Sequence, residues 1–120
     1  GLKICAVHGG GYFASYAHRS DAVIKTFPDR VGPLPKKPPT EYLKDGQLFF
    51  DTIVFDPEAL RFLMAQTGAD KIMMGTDYPY GWTETEVELV MSTPGLSDEE
   101  RIAILGGTAK KLLGLQETIS

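Results

Sequence analysis

The chain has 120 residues, room for one domain and not for two. Its 42% hydrophobic and 23% charged residues are ordinary for a globular fold, and its formal net charge of −4 argues against a nucleic-acid partner. With Cys5 as its single cysteine it can form neither an intramolecular disulfide nor a thiolate metal cluster. No apolar run approaches the roughly 20 residues of a membrane helix, and no signal peptide is visible. These features suit a reducing cytoplasm.

In chain order, Leu2, Ile4, Cys5, Ala6 and Val7 form a near-continuous apolar run, which predicts a strand buried on both faces. Cys5 within it reads as a small buried core residue rather than a nucleophile. The run stops at His8-Gly9-Gly10-Gly11. A helical pattern follows, with Phe13, Tyr16, Ser20, Val23, Ile24 and Phe27 at three- and four-residue steps. Residues 28–39 carry Pro28, Pro33, Pro35, Pro38 and Pro39 and predict a long loop, a lid or an interface segment. Thr40 is placed to cap a short turn through Leu43.

Leu48 to Val54 predicts a second strand, rich in β-branched and aromatic residues. Asp56 then caps a helix with Pro57 at its first position, Leu60, Leu63 and Met64 on its buried stripe, and Gly68 as its stop. Ile72-Met73-Met74 predicts a third strand, running into Gly75-Thr76-Asp77, with Tyr78-Pro79 imposing an extended exit. Thr83 with Glu86 and Ser97 with Glu100 are capping boxes for two more helices, and Gly107 and Gly114 punctuate the end.

Strand–helix alternation of this kind packs as a parallel sheet with helical crossovers. Three strands leave exposed edges, so the expectation is that further chain, a partner, or a homo-oligomer completes the structure. Ligands of such sheets bind at the carboxyl ends of the strands, which here carry His8, Asp56 and Asp77. Asp77 suits a divalent-metal ligand, the plainer alternative being a turn residue with an Asx hydrogen bond. His8 suits a general acid or base, or an oxyanion-hole loop of the kind esterases use. No Gly-x-Ser-x-Gly elbow supports the latter, and a structural histidine is the plainest option.

Arg19 lies about two helical turns past the glycines, roughly 12 Å along the axis. It would hold a substrate carboxylate only across a subunit interface, and is otherwise a surface ion-pair residue. Asp51 reads as a hydrogen-bonded interior carboxylate and His18 as a helix-face residue. Tyr78, Tyr80 and Trp82 suit a pocket wall or an interface.

The ordered set His8-Gly9-Gly10-Gly11, Asp51-Thr52-Ile53-Val54 with Asp56-Pro57-Glu58-Ala59-Leu60, Gly75-Thr76-Asp77-Tyr78-Pro79, and the ending Lys110 to Leu115 resembles the amidohydrolase-related family typified by aminocarboxymuconate-semialdehyde decarboxylase. The likeness is to its C-terminal third. The resemblance implies the C-terminal part of a (β/α)8 TIM barrel and one divalent metal, usually zinc. Asp77 then matches a metal-ligating aspartate, His8 a catalytic histidine, and Arg19 a substrate-carboxylate-binding arginine. The implied activity is non-oxidative decarboxylation of small aromatic or unsaturated carboxylic acids, with hydrolysis or hydration as the enzymatic alternative. A truncated, partner-bound module is the non-enzymatic one. Phe55 departs from the histidine common before the Asp-Pro pair, and Thr108 from an asparagine. The family's other ligands, on its first and fifth strands, have no counterpart here.

Overall fold

A computed structural model describes residues 1–82 and 86–115. The elements follow the expected alternation. Strand β1 (Ile4–Ala6) leads through a 3-10 turn (His8–Gly10) into α1 (Phe13–Thr26), and a proline-rich segment ends in the short α2 (Pro39–Tyr42). Strand β2 (Leu48–Asp51) is followed by α3 (Pro57–Thr67), and β3 (Ile72–Met73) by α4 (Glu86–Ser92). The last helical run comprises α5 (Asp98–Ile102), a π-helical turn (Ala103–Gly107) and α6 (Thr108–Leu113).

The strands form one parallel sheet in the order β1-β2-β3. Ala6 sits opposite Phe50, and Phe50 in turn opposite Ile72. All three strands therefore present their carboxyl ends on the same side.

Local chemistry sets the boundaries where it was expected to. The Asp56 carboxylate accepts from the Ala59 N–H at 2.8 Å, and Pro57 occupies the first helical position of α3. Gly68, at φ 88°, ends that helix. Ser97 and Glu100 form a reciprocal capping box at α5. Thr83 lies outside the described residues.

The core lies between β2, β3 and the helices. Phe50, Leu60, Ile72, Val90 and Ile104 are fully buried, and Leu43, Leu63 and Ala17 pack with them. The Met74 N–H donates to the Ile104 carbonyl at 2.9 Å, which ties the end of β3 to the π-helical turn.

Several expectations are corrected. Cys5 and Ile4 are exposed rather than buried: within β1 it is Ala6 that packs against the core. Helix α1 buries Ala14 and Ala17, whereas Tyr16 and Phe27 are exposed. The small alanine face lets the helix approach closely; of the predicted aromatic stripe Phe13 packs against this core, whereas Tyr16 and Phe27 do not. Thr40 is not a cap: it lies inside α2, and its hydroxyl and N–H both donate to Asp21 on α1. Strand β2 stops at Asp51 and β3 at Met73, each earlier than the apolar pattern suggested. Gly107 is helical (φ −59°), so of these two glycines it is Gly114, left-handed at φ 66°, that terminates a helix. No helix among the described residues is long and apolar enough to cross a membrane.

Candidate active site

His8 and Asp77 come together, from strands that are not neighbours. His8 follows β1 and Asp77 follows β3, and the His8 Nε2 and Asp77 Oδ1 atoms stand 3.7 Å apart. That is beyond hydrogen-bond reach. Both residues have left-handed backbones, φ 57° at His8 and 54° at Asp77, uncommon for residues other than glycine. The chain does not leave Asp77 extended as expected. The Tyr80 N–H donates to the Asp77 carbonyl at 3.2 Å, closing a turn that contains the cis Tyr78–Pro79 peptide bond.

Asp51 at the end of β2 explains how His8 is held. Its Oδ2 accepts from the His8 N–H at 2.9 Å, and its Oδ1 from the N–H groups of Gly9 at 2.8 Å and Ile53 at 3.1 Å. The carboxylate is buried, so the sequence reading of Asp51 as an interior hydrogen-bonded group holds. The following glycines let the turn pack on β2. A Cβ on Gly10, whose φ is 75°, would lie 2.7 Å from the Phe50 ring. Gly10→Ala therefore adds a backbone penalty to overpacking and is expected to cost about 2–4 kcal/mol. Urea unfolding of the variant beside the parent measures it; a midpoint unchanged from the parent would refute the packing argument.

An open cleft of about 590 Å³ surrounds the pair, lined by His8, Ile53, Phe55, Asp77, Tyr80 and Trp82. Tyr80 and Trp82 stack at 5.0 Å between ring centroids, and Phe55 meets Trp82 edge-on at 5.5 Å. Three rings thus wall a site that holds one imidazole and one carboxylate. Tyr78 instead points outward, 82% exposed. Arg19 is exposed on α1 and is not part of the cleft. His18 is exposed on the same helix, with Nε2 3.3 Å from the Gln66 side-chain oxygen on α3.

Asp77 offers a carboxylate oxygen to the cleft, a donor that divalent first-row ions accept. Among the described residues, no group of three or more His, Cys, Asp or Glu side chains could enclose a metal. The donor chemistry is compatible with a metal ligand, and the described residues by themselves do not enclose an ion.

Sequence reasoning missed a second buried group beside the cleft. Glu86, expected to serve a capping box, is only 1% exposed, and its Oε2 accepts from the Thr52 hydroxyl at 3.0 Å. Burial pushes the Glu86 carboxyl above the usual range, the Thr52 hydrogen bond pulls it back, and nearby Asp51 adds to the rise. A carboxyl whose pKa is raised on folding binds its proton more tightly in the native state. Its contribution to stability is present below the unfolded-state value, about 4.3, and is lost as pH rises towards the folded value. Glu86→Gln removes that loss. Urea midpoints of parent and variant are expected to diverge in the variant's favour from pH 4 to pH 7, and parallel pH curves would contradict the assignment.

The amidohydrolase family model matches residues 1–115. The chain belongs to the amidohydrolase family. A 2-amino-3-carboxymuconate-6-semialdehyde decarboxylase from Dictyostelium discoideum is 36% identical over 95% of this chain and 32% of that protein. The crystal structure of 5-carboxyvanillate decarboxylase from Sphingomonas paucimobilis superposes with a TM-score of 0.84 at 25% identity, covering 96% of this chain and 34% of that one. The 5-carboxyvanillate decarboxylase from Novosphingobium aromaticivorans, solved with manganese and 4-hydroxy-3-methoxy-5-nitrobenzoic acid, gives a TM-score of 0.79 at 25% identity. That match covers 95% of this chain and 33% of the other. The chain thus spans about a third of the relatives it matches. Its three parallel strands and their helices are the C-terminal part of a (β/α)8 barrel, as the family resemblance implied.

Proposed function

We propose that this chain supplies the His8–Asp77 side of the active site of a metal-dependent, non-oxidative decarboxylase of small aromatic or unsaturated carboxylic acids. The observation that carries the reading is the placement of an imidazole and a carboxylate 3.7 Å apart in a cleft walled by three aromatic rings. The relatives' names, decarboxylases of carboxylated aromatic or unsaturated compounds, support the substrate class.

Loss of carbon dioxide breaks a carbon–carbon bond and leaves its electron pair on the substrate carbon, which must gain a proton. His8 is the group in the cleft suited to carry that proton. Asp77 would ligate the divalent metal, zinc or the manganese found with one relative, and the bound ion would supply charge stabilisation for the anionic substrate. Phe55, Tyr80 and Trp82 would offer ring faces for a planar substrate to pack against. Arg19, outside the cleft, would hold a substrate carboxylate from a neighbouring subunit of a homo-oligomer. The lone cysteine suits a cytoplasmic enzyme.

The 120-residue chain alone is expected to show no turnover, because zinc and its kin require three or four protein ligands. The test compares it with the full-length protein, each supplied with manganese or zinc and a panel of aromatic acids, esters and amides. Carbon dioxide release by the full-length protein alone supports the proposal. Ester or amide cleavage without carbon dioxide, or turnover by the isolated chain, overturns it.

A further inference from the structure

His8 and Asp77 follow strands that flank β2 on opposite sides, so their separation is set through β2 and not by direct contact between their own strands. The end of β2 carries two consecutive residues that bond in opposite directions. Asp51 accepts from the backbone of His8 and Gly9. Thr52, fully buried, accepts from the Gly75 N–H at 3.2 Å, two residues before Asp77, and donates to Glu86. The packing there is tight: a Cβ on Gly75 would lie 3.1 Å from the Asp51 Cβ and 3.2 Å from the Ile53 side chain.

Two features set this arrangement apart from ordinary core packing. The first is that both functional residues hold left-handed backbones, which persist only where surrounding bonds fix them. The second is that Glu86 is costly where it is. Among the described residues its Oε1 is buried without a hydrogen-bond partner, and its Oε2 accepts from Thr52. An apolar pair of similar shape in place of Thr52 and Glu86 would leave fewer polar groups to satisfy.

We infer that Asp51 and Thr52, the latter oriented by Glu86, are positioning residues that together set the separation of His8 and Asp77. The inference rests on the proposed role of that pair. Asp51 fixes the histidine side and Thr52 the aspartate side, so one strand end registers both halves of the site. Loss of the Thr52 arm frees Gly75 to shift, and Asp77 moves with it.

The full-length protein provides the test, through the variants Thr52→Val/Glu86→Leu, Thr52→Val, Thr52→Ser and Asp77→Asn. Manganese affinity is measured by the paramagnetic resonance signal of the free ion, alongside kcat, KM and the urea midpoint. The double variant removes the buried Glu86 carboxyl but also the acceptor of the Gly75 N–H, so it is expected to unfold near the parental midpoint. Its manganese affinity and its kcat should each fall by about 10–100-fold, the usual effect of removing a group that orients a ligand. KM should change little, and Thr52→Ser should restore both quantities. Parental affinity and kcat in the double variant would overturn the inference, as would a loss of kcat fully accounted for by unfolding. Thr52→Val alone gives the same reading should the double variant not fold. Asp77→Asn separates the two claims: if it keeps parental manganese affinity, the ligand role of Asp77 fails, and the positioning inference is decided by kcat.

Discussion

Replacing His8 with asparagine is expected, on the proposed decarboxylase function, to lower kcat of the full-length protein by about 10²–10⁴-fold while leaving the proposed metal bound. Asparagine suits the test because of the backbone. His8 has φ 57°, and asparagine is among the few residues other than glycine that adopt this conformation readily. The two N–H bonds to Asp51 use main-chain atoms of His8 and Gly9, so the substitution leaves them intact. The side chain is more than half exposed, so its loss opens no core cavity. What disappears is the imidazole and its capacity to carry a proton into the cleft. Steady-state kinetics with a metal content assay check this. Loss of the metal along with activity would reassign His8 as a ligand, and near-parental kcat would remove it from the chemistry.

The helix boundaries near the site were legible because their signals are local. Asp56, Pro57 and Gly68 each act on backbone within one turn, as do Ser97 and Glu100, and all behave as their residue types dictate. The strands themselves were legible from their apolar runs, although the runs overshot the strand ends, to Val54 where β2 stops at Asp51 and to Met74 where β3 stops at Met73. That was enough to single out His8 and Asp77 before any geometry was known.

Distance in the sequence hid the rest. Thr52 and Glu86 are 34 residues apart, and a glutamate three places after a threonine reads as a capping residue, which gives no sign that its side chain is buried against Thr52. Phe55 stood out by residue type, but its place in the cleft depends on a left-handed backbone (φ 58°) and on contact with Trp82. The exposure of β1 had another cause. A continuous apolar run reports the sheet for which it is suited, whereas accessibility reports the neighbours present, and within β1 it is Ala6 that meets the core here.

Asp51→Ala should be the most damaging single substitution in stability. The carboxylate is 5% exposed and accepts from three backbone N–H groups, those of His8, Gly9 and Ile53. Alanine leaves these donors with no replacement acceptor from that side chain, at about 1–3 kcal/mol for each that water cannot reach. The His8 N–H is only partly buried, so the sum is expected near 3–6 kcal/mol. That is comparable with the whole stability of a typical domain, about 5–15 kcal/mol. Asparagine retains one acceptor oxygen and turns an amide donor towards the remaining N–H groups, so Asp51→Asn should fall between parent and alanine variant. Urea unfolding followed by far-ultraviolet circular dichroism ranks the three proteins. Equal losses for Asn and Ala would mean that the second carboxylate oxygen is indispensable. A loss below about 1 kcal/mol for Ala would mean that water satisfies the freed N–H groups and that the His8 turn is held by the packing of its glycines on β2.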